Sequence, residues 1–378
     1  MKFVSALADS AAVGAALDQV MPAIDAGLGG APDLAFAFAA GRCADGGDRM
    51  LARLERAWPN AVVIGCSARS VIGGGRELED RSGLALVAAT LPGVELAPFE
   101  LDSEDRAAAL PITADAARIL LADPFSFDTE RALDALGAAQ RGAVVGGLAS
   151  GGAAPGQHSL FVGGRVKRSG CVGVALSGAL AVEARVAQGC RPIGQPMFVT
   201  AVRDEQWIGA LDGRPPLELL QELYAASPPD DQALFDGSLF LGVAMREGES
   251  RFGQGDFLVR NIAGVSEGRS ELAVNARVRE GQVVQFQLRD PRTAEADLER
   301  ALARLDGPGA ARGALLFSCL GRGASLYGAP NRESECFARA FGDVPLAGFF
   351  CNGEIGPVGA RSYLHGYTAA FALFREKS

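Results

Sequence analysis

The residues able to do chemistry in this chain gather at glycine-rich bends. The densest bend is Cys351-Asn352-Gly353-Glu354, where the apolar run Leu346–Phe350 stops before a second apolar run begins at Tyr367. A strand ending in small residues exposes backbone N–H groups, and Gly353, Gly356 and Gly359 let a ligand approach the main chain closely. Glu354 is the single carboxylate in Cys351–Arg361 and suits a ligand ammonium or amide. The structural alternative is a plain glycine and proline hairpin in which Glu354 bonds loop amides or Arg361. Cys351, His365 and Glu354 also have the types of a thiol nucleophile, a base and an orienting acid, which would have to lie within hydrogen-bonding reach of one another.

Earlier bends carry the same chemistry more sparsely. Cys66 and Ser67 open the turn Cys66–Gly75, and Ser150 sits in Leu148–Gly156. Arg260, inside FLVRNI, is costly to bury unpaired, so it either anchors a ligand carboxylate or pairs with an internal acid such as Glu354. Arg322 in Gly321-Arg322-Gly323, and Arg289-Asp290 at a strand end, admit the same two readings. Neither G-x-G-x-x-G nor G-x-x-x-x-G-K-[ST] occurs at Gly321-Arg322-Gly323, so no nucleotide cofactor is expected there. With His158 and His365 the only histidines, and seven dispersed cysteines lacking a C-x-x-C pair, no metal site is expected either.

The elements that must position these bends repeat along the chain. Leu34–Ala39 reads as a strand, Arg49–Trp58 as an amphipathic helix, Ala61–Gly65 as a second strand, and Leu84–Thr90 as a strand returning after the bend. The same order recurs in Ala117–Ala122, a helix over Thr129–Arg141 capped by Asp128, Ala143–Gly147 and Cys171–Leu176. It recurs again in Ala314–Cys319, Arg332–Phe341, Leu346–Phe350 and Tyr367–Phe374. A looser fourth instance runs through Met197–Val202, a helix started by Pro215 and Pro216, Leu239–Met245 and Phe257–Ile262.

Strand, helix, strand predicts a parallel pair, and the return strand adds an antiparallel neighbour. The expected fold is therefore α/β, with mixed sheets built from repeated strand-helix-strand-strand units and helices on the outer faces. Two units on each side of residue 182 predict two related halves, 1–182 and 183–378, joined through Val182–Gln195. The bends Cys66–Gly75, Leu148–Gly156, Arg246–Asp256 and Cys351–Arg361 would then line a common cleft.

Composition narrows the function. The chain has 378 residues, is 48% hydrophobic and carries a formal net charge of −9, with a pI near 5.0. That balance argues against nucleic acid or an anionic membrane surface as the main partner. Asp9 interrupts the early apolar stretch before it can serve as a signal-peptide core, and no run is long enough to span a membrane. Seven dispersed cysteines fit a reducing, cytoplasmic setting.

The sequence resembles the FIST family, named for F-box and intracellular signal transduction proteins. The resemblance rests on Gly65-Cys66-Ser67, Gly146–Gly152, Gly189-Cys190-Arg191-Pro192-Ile193-Gly194, Arg260-Asn261-Ile262, Phe286–Asp290, Phe317–Gly323, Asn352–Pro357 and Leu364-His365-Gly366-Tyr367. It implies N-terminal and C-terminal FIST regions and a sensory module for small ligands such as amino acids. FIST regions are usually fused to output domains; this sequence ends at Ser378, so the resemblance implies either output through a separate signalling protein or a stand-alone binder with another use. The ligand-binding candidates are Cys66, Ser67, Ser150, Arg260, Arg322, Cys351, Asn352, Gly353, Glu354 and His365. A cysteine enzyme using Cys351, His365 and Glu354, and a protein-interaction scaffold, are the rival classes.

Overall fold

The first two strands of each repeat are apolar on both sides, a pattern that suits parallel strands covered on two faces. Leu34–Ala40 is buried at every residue, and so are Ala117–Ala122 and Leu346–Cys351. In a computed structural model of the chain, which describes all residues except 108–109, 111, 138–139, 247, 250, 267, 306–310 and 378, these strands sit at the centres of three mixed six-stranded sheets. The chain divides into two compact units. One comprises Met1–Val186, Leu298–Leu364 and Thr368–Ser378; the other comprises Ala187–Asp297 and His365–Tyr367.

Within the larger unit the three sheets have one design. The first runs Lys2–Ala8, Gly83–Thr90, Leu34–Ala40, Val62–Ala68, Leu160–Val162, Arg165–Lys167. The second runs Val94–Leu101, Cys171–Gly178, Ala117–Ala122, Val144–Leu148, Glu354–Val358, Arg361–His365. The third runs Leu180–Gln188, Thr368–Glu376, Ala311–Cys319, Leu346–Cys351, Val71–Gly73, Arg76–Leu78. In each sheet the third and fourth strands are parallel and the second is antiparallel to the third.

The last two strands of every sheet are a hairpin contributed by another repeat. The hairpin that follows the first repeat's parallel pair completes the third sheet, the second repeat's completes the first, and the third repeat's completes the second. The three repeats thus close a cycle of exchanged hairpins.

The crossing point explains one glycine per repeat. Gly65, Gly146 and Gly348 pair with Phe161, Ile355 and Ile72 of the incoming hairpins. A Cβ there would lie 1.9, 1.8 and 1.8 Å from the carbonyl oxygens of Ala37, Leu120 and Leu316. No side chain fits so close to a neighbouring backbone. Two residues on, the N–H groups of Ser67, Leu148 and Phe350 donate to the carbonyls of Ser159, Gly353 and Ser70 at 2.7, 2.9 and 3.0 Å.

All three sheets turn apolar faces into one core that includes Phe36, Phe38, Ile119, Val145, Val174, Phe317, Phe349 and Phe374. Helices cover the outer faces. Val13–Leu28 and Gly47–Ala57 pack on the first sheet through Leu17, Ile24, Met50 and Leu54. Thr129–Leu136, capped by the Asp128 carboxylate accepting from Arg131 N at 3.0 Å, packs on the second through Ala132 and Leu133. Arg332–Phe341 lies on the third, its Phe337 stacked on Phe371 at 6.0 Å.

The smaller unit differs from the expected fourth repeat. Met197–Arg203, Trp207–Leu211, Glu271–Val274, Phe257–Ser266, Leu239–Ala244 and Val283–Arg289 pair in that order, and the last strand also pairs with the first, Met197–Arg203, closing a six-stranded antiparallel barrel. The reason is visible in burial. Met197–Arg203 buries one residue, Val199, and Phe257–Ser266 buries only Phe257 and Val259 before alternating half-buried with exposed positions. Strands polar on one face can pair antiparallel beside water but cannot serve as a doubly covered parallel pair. Val199, Ile208, Leu241, Leu272, Val284 and Phe286 fill the barrel. The stretch 182–195, expected to be a connection between halves, is itself mostly strand, in Leu180–Gln188 and Cys190–Pro192.

Candidate functional site

The hairpin exchange brings three bends of the larger unit side by side. Ser150 Oγ donates to Phe350 O at 2.5 Å and accepts from Arg69 N at 2.9 Å. Asn352 N donates to Leu148 O at 3.1 Å, and Asn352 Nδ2 donates to Ala149 O at 2.8 Å. Ser67 Oγ accepts from Ser159 N at 2.9 Å. The bends at Cys66, Leu148 and Cys351 therefore form one hydrogen-bonded platform.

Beside this platform lies a cavity of about 250 Å³ at the carboxyl ends of the parallel strands Leu34–Ala40 and Val62–Ala68. Its walls include Ser67, Arg69, Arg81, Asp45, Asp80 and Ser150, with Gly41 and Gly151 giving access to the main chain. The crevice outside the carboxyl ends of parallel strands is where small molecules bind in open α/β sheets. Arg69 pairs with Asp80 and Arg81 with Asp9, both at 2.5 Å, and these side chains reach solvent. The Asp80 carboxylate beside it holds the Arg69 guanidinium above its ordinary range.

Of the residues singled out in the sequence, Ser67 and Ser150 share this cavity wall. Cys66 and Cys351 do not: both thiols are fully buried in the central core. Burial pushes both well above the usual thiol range, with the Glu354 carboxylate adding to the effect at Cys351. Such a thiol holds its proton and is a poor nucleophile. Gly353 supplies its carbonyl to Leu148 N, and Asn352 binds backbone with its side chain.

Glu354 occupies an unusual place. The register of the exchanged hairpins sets it level with Val71 and Leu160, two apolar members of the central core. Its carboxyl is fully buried, and Oε2 accepts from Thr368 N and Oγ1 at 3.2 and 3.0 Å. Oε1 has no hydrogen-bond partner among the described residues. Burial lifts this carboxyl to about 8, against the opposing pull of the Thr368 bonds. Arg361, considered from the sequence as its partner, pairs with Asp134 at 2.9 Å.

Arg322 is also fully buried, ion-paired with Glu333 and bonded to Tyr327 Oη at 2.5 Å. Burial opposes its charge, and the Glu333 carboxylate overrides that cost. Nearby, Glu77 Oε1 accepts from Ser334 N and Oγ at 2.8 and 3.0 Å. Burial, then the Glu333 charge, raises Glu77 to about 7. This polar knot ties the Arg76–Leu78 strand to the helix Arg332–Phe341, so Arg322 has a structural partner.

Sequence reasoning passed over a second buried pair. His158 Nδ1 lies 2.8 Å from Asp123 Oδ1, and Gly152 N donates to His158 Nε2 at 3.1 Å. Nε2 thus acts as acceptor, which leaves the ring proton on Nδ1 facing the carboxylate. Ser126 Oγ completes the set by donating to Asp123 Oδ2 at 2.5 Å. The pair anchors the loop from Gly152 to Gln157, and Gln157 lines the cavity. A signal was available: Asp123 stands at the carboxyl end of an apolar strand.

Comparison with known proteins fixes the family. Residues 33–214 match the FIST N domain and residues 216–357 match the FIST C domain. The chain belongs to the FIST family. FIST domains are signal-transduction domains. An uncharacterized protein of Mycobacterium tuberculosis is 39% identical over 358 residues, covering 92% of each chain. Another, from Mycobacterium bovis, is 38% identical over 372 residues, covering 95% of each. F-box only protein 22 of Homo sapiens is 44% identical over 68 residues, which is 18% of this chain and 17% of that protein.

On the FIST N match lie Ser67, Arg69 and Ser150; on the FIST C match lie Arg260, Arg322 and Cys351–Glu354. Arg260 stands on the barrel strand Phe257–Ser266 and donates to Val259 O at 3.1 Å. His365 is buried and counts with the smaller unit, as does the loop Arg246–Asp256, whose residues 247 and 250 lie outside the described residues. Cys351 and Glu354 count with the larger unit.

Proposed function

We propose that this FIST chain is a small-ligand-binding sensory module of signal transduction, acting in the cytoplasm and taking small polar metabolites of the amino-acid class. The observation that carries the reading is the cavity walled by Ser67, Arg69, Asp80, Arg81 and Ser150, with both charge signs present. An α-amino acid offers one carboxylate and one ammonium. Its carboxylate takes Arg69 and its ammonium takes Asp80, dividing an exposed ion pair worth about 0–1 kcal/mol. Backbone at Gly151 and the Ser150 hydroxyl stand beside the entering groups.

Two further observations support the reading. Among the described residues, which include all seven cysteines, no disulfide forms and every thiol is buried, in keeping with a reducing compartment. No described helix is long and apolar enough to cross a membrane. The buried, proton-holding Cys351 favours this reading over a cysteine enzyme.

A thermal-shift panel tests the proposal. Zwitterionic amino acids should raise the melting temperature saturably, because a ligand that prefers the native state stabilises it. The matching amines and carboxylic acids, each lacking one charge, should shift it less, and Arg69→Ala should abolish the response. A panel with no responder, or a response undiminished in Arg69→Ala, would overturn the assignment.

A further inference from the structure

The smaller unit carries two consecutive helical segments, Pro216–Ala226 and Pro229–Ser238, the second leaving helical geometry at Asp236 and Gly237, that never finish burying their apolar residues. In the first, Pro216 alone is buried; in the second no residue is. Leu217, Leu220, Leu223, Leu234 and Phe235 are half-buried against the barrel. Tyr224 is 47% exposed and sits edge-on to Phe235 at 5.2 Å, joining the two helices into one face. Leu217, Leu220 and Tyr224 follow the spacing that lines one side of a helix.

Charge decides what this face can receive. Residues 215–238 hold Glu218, Glu222, Asp230, Asp231 and Asp236 and no lysine or arginine. Arg214 meets Glu222 and Arg191 meets Asp231, while Glu218, Asp230 and Asp236 are exposed around the apolar residues. A second copy would set one acidic rim against another, and nucleic acid or an anionic membrane would meet the same repulsion.

We propose that the two-helix face formed by Pro216–Ala226 and Pro229–Ser238 docks a cationic amphipathic helix of a partner protein. Leucine or aromatic anchors of that helix pack on Leu217, Leu220 and Tyr224, and its arginines or lysines meet Glu218, Asp230 and Asp236. The contact gives the sensory module a separate output protein.

The full chain is titrated with a fluorescein-labelled helical peptide about five turns long, with leucines on one face and arginines on the other. Two controls are a scrambled peptide of the same composition and a version with glutamate for arginine. The amphipathic cationic peptide should bind at least about tenfold more tightly than either control. Tyr224→Ser should weaken it by a similar factor. Glu218→Arg should weaken it and flatten its salt dependence. Both variants should still fold cooperatively, Tyr224→Ser melting only a few degrees lower because it gives up the contact with Phe235. Equal binding of the scrambled peptide, or undiminished binding by Tyr224→Ser, overturns the proposal. So does a wild-type dimer in sedimentation that dissociates in Tyr224→Ser, which would assign the face to a second copy.

Discussion

The helices of the larger unit and those of the smaller one are used differently. Val13–Leu28 buries seven residues, Gly47–Ala57 buries four and Arg332–Phe341 buries five, so each closes the outer face of a sheet. Pro216–Ala226 and Pro229–Ser238 bury one residue between them. The strands differ in parallel: doubly covered parallel pairs in one unit, a half-solvated antiparallel barrel in the other. A unit sealed on every face can hold bends in fixed register for a ligand. A unit that leaves apolar helix surface open is suited to meeting another protein.

The sharpest way to break this contrast is at the glycines. Gly348→Ala drives a Cβ to 1.8 Å from Leu316 O and should cost more than about 4 kcal/mol, read as loss of the folded state. Gly209→Ala, on a barrel strand, meets Ala201 Cβ at an ordinary 3.5 Å and should cost less than about 1 kcal/mol by denaturant titration. If Gly348→Ala folds normally, the account of the exchanged hairpins is wrong.

Helix truncations come next in size. Leu54→Ala, fully buried, should cost about 2–5 kcal/mol through lost transfer energy and the cavity left behind. Leu220→Ala, half-buried, should cost about 1 kcal/mol. Equal losses would mean that the Pro216–Ala226 helix is as fully packed as the others.

A smaller effect concerns Glu354, a carboxyl where the other two repeats place Val71 and Leu160. Its folded value of about 8 lies above the ordinary 4.5, so the fold favours the protonated form. The stability it contributes is complete below about 4.5 and is lost as pH rises through about 8. Glu77, raised to about 7, acts in the same direction up to that pH. Denaturant midpoints should therefore fall between pH 5 and pH 9, by less in Glu354→Gln. Glu354→Val should raise the midpoint at pH 9 by returning the position to the apolar pattern. An unchanged slope in Glu354→Gln would remove Glu354 as the cause.

Much of the larger unit was legible from periodicity. The strand-helix-strand-strand order, the helix Arg332–Phe341 and the Asp128 cap are all present where the pattern put them. The opening strand Lys2–Ala8 and helix Val13–Leu28 lie outside the repeated units that the periodicity defines. The exchange of hairpins was invisible because strands of three residues, such as Val71–Gly73 and Leu160–Val162, carry no readable period and their partners are far along the chain. Cys351 and Glu354 drew notice as bend residues, yet burial depends on which sheet receives the hairpin. Ser67 and Ser150 stand beside glycine-rich stretches in the sequence, although Ser67 lies within the strand Val62–Ala68, while Arg69, Arg81 and Asp80, which give the cavity its charge, look from sequence like an ordinary solvated loop.

The ligand reading meets its hardest trial in a crystal of the full chain soaked with the best-responding amino acid. Density bridging Arg69 and Asp80 beside Ser67 and Ser150 is the predicted result. Density instead in the separate cavity of about 270 Å³ bordered by Arg141, Arg185 and Arg361, with the first cavity unchanged, would contradict it.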